Sequence, residues 1–385
     1  MSVLNLPRPA WMSEDLVLLE EQAERFVAAE YAPHLEKWHE DHIYPREVWT
    51  KAGQAGLLCA MIPEEYGGGG GSFAHEAVIN RAYSLAGFDT FGAPLHSGIV
   101  APYIWRFGTE EQKKRWLPKL ATGELVGAIA MSEPGTGSDL QSVRTTAVKK
   151  GNRYVLNGSK TFITNGQHAN LVVVVAKTDP KEKAKGVSLM VVETDDAKGF
   201  RRGRKLKKLG QDSADTSELF FEDVQLPALS LLGTEEGQGF YQLMKELPQE
   251  RLLVAIHASA MMERALALTI DYVKQRSAFG KKIIEFQNTQ FELADCKSEA
   301  TIARVFVDHC LERHINGGLD AVTASIGKQW VTDTLCKVAD RCLQLFGGYG
   351  YMDEYPISRI YRDARVMRIY AGTNEIMKLL ISRSL

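Results

Sequence analysis

The spacing of apolar residues changes twice along this chain of 385 residues, and the two changes constrain its fold more than any other feature. Up to about residue 125 the apolar positions recur at helical intervals. From 126 to 235, runs such as "RYVLNG" and "NLVVVVAK" are separated by Gly, Asn and Asp, a pattern typical of strands and turns. From Gly239 the helical spacing returns in long stretches. The sequence therefore predicts an α+β multidomain fold.

The two changes of spacing also divide the chain into three predicted domains. We expect an N-terminal helical domain over 1–125, a middle β domain over 126–235 and a C-terminal helical domain over 236–385. Within the third domain the spacing predicts helices over about 240–274, 287–316 and 320–346, and a last one after Thr373.

Local signals refine the first domain. Ser13, followed by two acidic residues, is expected to cap the opening helix, and Thr109 with Gln112 forms a predicted capping box. The five glycines of Gly67–Gly71 are interpreted as a loop between helices, since glycine tolerates left-handed backbone.

Charge and composition exclude some classes of function. A net charge of −2 gives no general electrostatic reason to bind nucleic acid or an anionic membrane. The dense basic run Arg201–Lys208 is interpreted as a solvated loop, with contact to an anionic group of a ligand as the alternative. Small-molecule chemistry is therefore favoured.

The cysteines and the first residues indicate a compartment. Five scattered cysteines without a CxxC pair predict neither a disulfide framework nor a metal site: Cys59, Cys296, Cys310, Cys336 and Cys342. The segment Met1–Ala10 lacks a basic stretch followed by an apolar one, and no run of about 18 apolar residues occurs. We therefore expect a cytoplasmic protein without membrane insertion.

Four polar, flexible turns could contact a bulky ligand that carries phosphates. Gly135 and Gly137 lack the third glycine of a dinucleotide fingerprint, and their turn leads into the β domain, so a Rossmann interpretation fails. Each turn taken alone is consistent with a purely structural role; the combination favours ligand binding. The turns are "MSEPGTGSD" (131–139), "FITNG" (162–166), "FGGYG" (346–350) and "AGTNE" (371–375).

A carboxylate interrupts the apolar face of the helix predicted over 240–274. Steps of three and four residues collect Leu243, Leu247, Glu250, Val254, His257, Met261, Ala265 and Leu268. One interpretation of Glu250 is a structural glutamate, either in a buried ion pair with Arg251 or Arg264 or held by hydrogen bonds. The other is a carboxyl group whose pKa is raised by desolvation, as a general base at neutral pH requires. The stripe alone leaves both open.

In order and spacing, five motifs resemble those of the acyl-CoA dehydrogenases, flavoproteins that oxidise acyl-CoA thioesters. They are "MSEPGTGSD", "NGSKTFITNG", "VKQRSAFGKKI", "QLFGGYGYMDEYPISRIYRDAR" and "IYAGTNEIM", and together they span nearly the whole chain. The stretch "MKELPQERLLVA" is similar to the long-chain branch. The resemblance implies a helical N-terminal domain, a middle β-barrel and a C-terminal four-helix bundle.

The resemblance also implies where the base lies. Many members of the family place the catalytic glutamate where this chain has Ala371, whereas the long-chain and isovaleryl branches take it from the helix that carries Glu250. Glu250 would then remove the pro-R α-proton while a hydride leaves the β-carbon for flavin N5, which yields a trans-2-enoyl-CoA. The enolate oxygen would be held by the flavin ribityl 2′-hydroxyl and the backbone N–H of Ala371.

For the cofactor FAD, the resemblance places Thr164 at flavin N5 and Phe162 against the ring, where many relatives have Trp. The alternatives are core packing for Phe162 and Phe279 and a surface role for Gln287. The full FAD set is Met131, Ser132, Ser138, Phe162 and Thr164, with Arg276, Phe279 and Gln287 from one subunit and Gln344, Gly347, Gly348 and Thr373 from another. The substrate side is assigned to Ser138, Arg251, Ala371 and Gly372, with Arg251 either steering the thioester or balancing charge.

A cofactor shared across subunits implies a homotetramer built as a dimer of dimers, and the expected electron acceptor is an electron-transferring flavoprotein. Two alternatives remain: an oxidase that uses O2, and a nucleic-acid-binding flavoprotein relative, which only the basic run favours. The segment Leu95–Phe107 and the helix of Glu250 are expected to line the acyl pocket, whose depth sets the chain length.

Overall fold

A computed structural model gives the structure of residues 2–385. The N-terminal region is helical, and its helices are α1 (Glu14–Glu30), α2 (Leu35–Asp41), α3 (Glu47–Gln54), α4 (Phe73–Ala86), α5 (Ala93–Leu95), α6 (Ala101–Phe107) and α7 (Glu110–Ala121). Thr109 and Gln112 form the predicted capping box before α7. Ser13 occupies the cap position of α1, but its side chain makes no capping hydrogen bond. Gly67–Gly71 connects a short 3-10 turn to α4, as expected of a loop.

The middle region is a seven-stranded sheet. Its strands are β1 (Gly127–Ala130), β2 (Thr146–Lys150), β3 (Arg153–Thr164), β4 (Leu171–Lys177), β5 (Val187–Glu193), β6 (Phe200–Lys205) and β7 (Thr216–Pro227). β4 pairs with β5 on one side and with β1 and then β2 on the other, and the sheet continues through β3 and β7 to β6. Two irregularities in the pairing of β3 with β7 interrupt the ladder, and such bulges bend a strand. The middle region is thus a curled sheet between two helical regions.

The prediction of a solvated loop at Arg201–Lys208 is wrong for its first five residues, which belong to β6. β6 forms an edge of the sheet, where charged side chains are favoured because they discourage further strand pairing. The Arg201 guanidinium lies 4.2 Å from the centre of the Phe220 ring, and Arg202 donates to the carbonyl of Ala169 at 2.7 Å. Cross-strand contacts that charge density alone does not reveal therefore stabilise the run as a strand.

The C-terminal region contains α8 (Gly239–Gln275), the hairpin strands β8 (Ser277–Ala278) and β9 (Lys281–Lys282), and then α9 (Gln287–Ile315), α10 (Ala321–Leu345), α11 (Pro356–Ala364) and α12 (Asn374–Ser382). The first three predicted helices are confirmed to within two residues at each end, and the last begins directly after Thr373 as predicted. The sequence analysis missed α11, a helix of nine residues.

Helix α8 runs through the core and contacts α4, α9 and α10. Its length and composition would also suit a membrane span, but 72% of its most apolar window is buried inside the protein. That burial is typical of a core helix. Pro248 interrupts its hydrogen-bond ladder two residues before Glu250, since proline has no N–H to donate.

Candidate active site

Glu250 lies in the core, with only 4% of its surface exposed. The hydroxyl of Tyr103, on α6, donates a hydrogen bond of 2.8 Å to its Oε1. Burial raises the pKa of Glu250 to about 7; the Tyr103 hydrogen bond and Arg251 oppose that rise, and the neighbouring Glu246 adds to it. A carboxyl group with this pKa is poised to accept and release a proton near neutral pH.

Irregular backbone on both sides brings these two side chains together. α6 is preceded by a π-helical turn, His96–Val100, and α8 contains Pro248 just before Glu250. The side chain of Gln249 donates to the carbonyl of Gly98 inside the π-helical turn at 2.7 Å. A Cβ on Gly98 would come within 2.5 Å of Leu253, so glycine permits the close approach of the two segments. π-helical turns often occur at functional sites.

Neither arginine that the sequence analysis offered as an ion-pair partner binds Glu250. Arg264 forms its ion pair with Asp89, at 2.9 Å. Arg251 donates to the hydroxyl of Ser325 on α10 at 3.3 Å, and its Nε is buried without a hydrogen-bond partner within residues 2–385. The ion-pair interpretation of Glu250 is therefore wrong, although Arg251 remains electrostatically close to it.

A buried lysine on α10 binds the turn that contains Ala371. Ala371 and Gly372 both have left-handed backbone, with φ of 53° and 85°. The Nζ of Lys328, on α10, donates to the carbonyl of Gly372 and to Oδ1 of Asn374, both at 2.8 Å. The N–H groups of Ala371 and Gly372 make no hydrogen bond within residues 2–385, so they remain available to a ligand. Burial, with Arg251 nearby, lowers the pKa of Lys328 to about 8.

Helix α10 connects this turn to the buried carboxylate. Ser325, which contacts Arg251, and Lys328, which contacts Gly372, are three residues apart and thus on one helical face. Arg251 directly follows Glu250 in α8. The structure therefore brings three predicted substrate residues, Arg251, Ala371 and Gly372, to the same side of the C-terminal region as Glu250.

A second group of predicted residues meets on the middle sheet. Met131 and Ser132 follow β1, where the carbonyl of Ser132 accepts from the N–H of Thr161 at 3.0 Å, and so they lie beside Phe162 of β3. Phe162 sits at the second bulge of β3, with φ of 60°, and 70% of its surface is exposed. It is therefore not the core aromatic of the alternative interpretation. Thr164 ends the same strand.

A buried ion pair, missed by the sequence analysis, fixes this group. The Nζ of Lys160, a fully buried residue of β3, contacts Oε1 of Glu133 at 2.9 Å and the carbonyl of Met131 at 3.0 Å. The Glu133 carboxylate also accepts from the N–H groups of Arg144 and Thr145. Burial alone would raise the pKa of Glu133, but Lys160 and these donors together hold it below its usual value. Beyond this anchor, Gly135, Gly137 and Ser138 form an open loop.

The third group lies on the hairpin after α8 and the segment after α10. Phe279 occupies the hairpin tip with φ of 51° and 96% of its surface exposed, so it is not a core aromatic either. The guanidinium of Arg276 lies 5.7 Å from the Tyr349 ring centre, which places the hairpin beside the "FGGYG" segment of its own chain. Gln287, Gln344, Gly347 and Gly348 are exposed around it, while Thr373 caps α12.

Backbone strain marks one residue in each of the three groups. Phe162, Phe279 and Ala371 all have positive φ, a conformation that costs a non-glycine residue on the order of 1–3 kcal/mol and is concentrated at functional sites. Two of them present large rings to open space. Exposed rings, free N–H groups and the Arg276 guanidinium suit a flat, partly apolar ligand with phosphates, and so the residues fit FAD.

Sequence reasoning missed four functional side chains: Tyr103, Lys328, Glu133 and Lys160. Lys328 and Lys160 carried a usable signal, because each interrupts an otherwise apolar pattern just as Glu250 does. Tyr103 carried none, since a tyrosine on an apolar face is ordinary core composition.

Three family models together match most of the chain. Models of the acyl-CoA dehydrogenase N-terminal, middle and C-terminal domains match residues 13–124, 128–224 and 237–385. The mouse long-chain specific acyl-CoA dehydrogenase, described as mitochondrial, is 49% identical over 370 residues, 96% of this chain and 86% of the relative.

Solved structures are similar over nearly the whole chain. An acyl-CoA dehydrogenase from Geobacillus kaustophilus has a TM-score of 0.95 at 50% identity, with 98% of this chain and 99% of that chain covered. A structure described as the electron transferring flavoprotein of Acidaminococcus fermentans matches with a TM-score of 0.92 at 37% identity, covering 97% and 98%. A glutaryl-CoA dehydrogenase from Mycobacterium smegmatis in complex with FADH2 matches with 0.89 at 28%, covering 97% and 94%.

These matches and the three groups of site residues lead to one conclusion. The chain belongs to the acyl-CoA dehydrogenase family, FAD-dependent oxidoreductases that dehydrogenate acyl-CoA thioesters.

Proposed function

We propose that Glu250 is the base that removes the α-proton of the acyl-CoA substrate. One observation carries this proposal: Glu250 is buried, has a pKa raised to about 7, and is bound by a phenol instead of a cation. A carboxylate without a cation keeps its basicity, and a dry surrounding strengthens it further. Ala371 stands where other members of the family carry their acid, so the base must come from elsewhere.

The other groups of the chain would stabilise the charge that develops when the α-proton leaves. The proton passes from the α-carbon to Glu250, and its C–H electron pair becomes the new double bond as a hydride leaves the β-carbon. Bound FAD would supply the acceptor for that hydride. The N–H of Ala371, free and held in place through Lys328, would donate to the thioester oxygen, which gains charge in this step. Arg251, Gly372 and Ser138 complete the proposed substrate side.

The proposed FAD site combines the second and third groups of residues. Met131, Ser132, Ser138, Phe162 and Thr164 would hold the flavin end, while Arg276, Phe279, Gln287, Gln344, Gly347, Gly348 and Thr373 would hold the adenosine diphosphate end. The exposure of Phe279 supports a contribution across a subunit boundary, because this ring at the hairpin tip contacts Phe286 by its edge yet leaves 96% of its surface for a second chain to cover. We therefore also propose the homotetramer, which light scattering on the purified protein would measure.

The finer fold, the domain limits, the acceptor and the compartment belong to the same proposal. Contacts among α8, α9, α10 and α12 support a four-helix bundle, and the curled sheet supports a β-barrel. The limits at 125/126 and 235/236 remain predictions. The acceptor would be an electron-transferring flavoprotein, supported by the Acidaminococcus match. A cytoplasmic location remains a prediction, which cell fractionation would test against the mitochondrial description of the mouse relative.

The test is anaerobic bleaching of the bound flavin by a panel of saturated acyl-CoA thioesters. Replacing the base, Glu250→Gln, should slow the bleaching by roughly 10²–10⁴-fold, the usual worth of a general base, while the flavin stays bound. The matched control is Glu263→Gln, a buried glutamate on the same helix whose partner is Arg81. Bleaching by Glu250→Gln at the wild-type rate would remove Glu250 as the base, and rapid formation of peroxide in air would favour an oxidase.

A further inference from the structure

We propose that Tyr103 is a positioning residue of this reaction. Its hydroxyl holds Oε1 of Glu250 and thereby leaves Oε2 as the oxygen that accepts the α-proton. This inference rests on the proposed role of Glu250 and deepens it, because it assigns the two oxygens of the base to different tasks.

The two oxygens differ clearly in their surroundings. Oε1 accepts a hydrogen bond of 2.8 Å from the hydroxyl of Tyr103. Oε2 accepts no hydrogen bond within residues 2–385, yet it is not among the fully enclosed polar atoms that lack a partner. The small remaining exposure of Glu250, 4%, therefore includes the free oxygen. One oxygen is fixed by the protein, and the other keeps some accessible surface, as a proton acceptor must.

A phenol suits this task better than a cation or an apolar neighbour. Tyr103 is fully buried, and burial together with Glu250 raises the pKa of its phenol well above the ordinary value. The hydroxyl therefore keeps its proton over the working pH range and acts only as a donor. A neutral donor orients the carboxylate and favours its charged form moderately, whereas an adjacent cation would lower the basicity of the carboxylate much further.

Contacts around Tyr103 set its position relative to Glu250. Arg106, one turn further along α6, donates to the Oε1 of Gln249 at 2.8 Å and forms an ion pair of 2.5 Å with Glu246. Gln249 in turn holds the π-helical turn before α6 through the Gly98 carbonyl. These three contacts hold α6 and the π-helical turn before it against α8, on the face where Tyr103 binds Glu250. Such support is what keeps a reacting group within a fraction of an ångström of its place.

Two charged groups of α8 act on Glu250 directly, and titratable groups of α6, α9 and α10 lie beside its neighbours. Glu246 disfavours its charged form and Arg251 favours it, both from α8 itself. Arg106 on α6 partly neutralises Glu246, and Lys328 on α10 lies close enough to Arg251 to have its own pKa lowered by it. On α9, the Nε2 of His314 lies 3.1 Å from the Oε1 of Gln249. The Tyr103 hydrogen bond, however, is the only direct contact to a Glu250 oxygen among the side chains of residues 2–385.

The test is the pH profile of flavin bleaching in Tyr103→Phe, which removes the hydroxyl and keeps the ring. Without that donor the charged form of Glu250 is less stable, so the pKa of Glu250 rises. The acidic limb of the profile should therefore move to higher pH by about one unit. At a pH below the limb, this shift lowers the bleaching rate about tenfold. The plateau should also fall several-fold, because Oε1 is no longer fixed. KM should change little, since the phenylalanine ring keeps the apolar surface that Tyr103 presents in the segment Leu95–Phe107.

The control is Tyr83→Phe. Tyr83 is a buried tyrosine of α4 whose hydroxyl has no hydrogen-bond partner within residues 2–385, so its loss should leave the limb where it is in the wild type. An acidic limb of Tyr103→Phe that coincides with the wild-type limb would overturn the proposal for Tyr103. Normal bleaching by Glu250→Gln would instead overturn the base itself, so the two failures are distinguishable.

A second readout needs neither substrate nor turnover. The effect of Tyr103→Phe on urea unfolding should depend on pH when Glu250 is present and should lose that dependence when Glu250→Gln is added. A pH dependence that survives in the double variant would show that Tyr103 does not act through Glu250. Bound-flavin absorbance and circular dichroism establish that each variant is folded.

Discussion

Two buried glutamates of this protein, Glu250 in the C-terminal helices and Glu133 beside the middle sheet, have opposite surroundings. Glu133 is 7% exposed and is bound by Lys160 and by two backbone N–H groups. Glu250 is 4% exposed and, within residues 2–385, accepts a hydrogen bond only from the neutral hydroxyl of Tyr103. The pKa of the first lies below its usual value and that of the second is raised to about 7.

The difference teaches that burial alone does not assign a role to a carboxylate. Lys160 and the two backbone N–H groups offset the cost of burying the charge of Glu133, so this carboxylate stays an anion. Through Lys160 it holds Met131 and Ser132 in place. Glu250 lacks such compensation, so it can change its protonation state near neutral pH. Three substitutions separate these two roles.

The largest change in stability is expected for Glu133→Gln. It leaves the Lys160 ammonium buried without its counterion, which should lower the free energy of unfolding by about 3–5 kcal/mol at pH 7. Urea unfolding measures this loss, and the flavin should dissociate more readily because the 131–139 loop loses its anchor.

The matched variant combines Glu133→Gln with Lys160→Met. It removes both charges, so it should recover most of the lost stability. A single variant that loses less than about 1 kcal/mol would contradict the structural role of the pair.

An intermediate effect, of the opposite sign, is expected for Glu250→Gln. Between pH 4.5 and about 7 the folded wild type retains a proton that the unfolded chain has released, so wild-type stability falls as pH rises through this window. Glutamine has no proton to release in this window, so the stability of the variant does not fall for this reason. The variant should therefore gain up to roughly 3 kcal/mol over the wild type at pH 8 and much less at pH 5.

Urea unfolding of the two proteins at both pH values measures this gain. Glu222→Gln, at an exposed position on β7, gives the background for loss of a surface charge. If the free energies of unfolding of Glu250→Gln and the wild type differ by the same amount at pH 5 and pH 8, the pKa of Glu250 is not raised by folding.

The smallest effect is expected for Glu76→Gln on α4. Burial raises the pKa of Glu76 to about 7 as well, but backbone N–H groups of Ala60 and Met61 bind it. We expect the rate of flavin bleaching to stay within about twofold, because a raised pKa without a free oxygen at the site gives no base. A loss of bleaching rate as large as that of Glu250→Gln would show that Glu76 acts in the reaction and that a free carboxylate oxygen does not distinguish the base.

Much of the fold was predictable because local spacing decides it. The periods of the apolar residues gave the order of helical, sheet and helical regions, the bounds of α8, α9 and α10 to within two residues, and the start of α12. The basic run was misassigned because its strand β6 is stabilised by contacts with β7, such as that of Arg201 with Phe220, which lie about twenty residues away in sequence. Helix α11 was missed because nine residues give a weak periodic signal.

By itself the sequence predicted a buried Glu250, since this residue interrupts an apolar stripe of a long helix, and it showed that Ala371 offers no acid. Only the tertiary structure decided what the buried carboxylate meets. Tyr103 lies 147 residues away from Glu250, and Lys328 lies 44 residues from Gly372. Hydrogen bonds of this kind depend on distances of a few tenths of an ångström between separate helices, which the packing of the whole chain sets and no local pattern encodes.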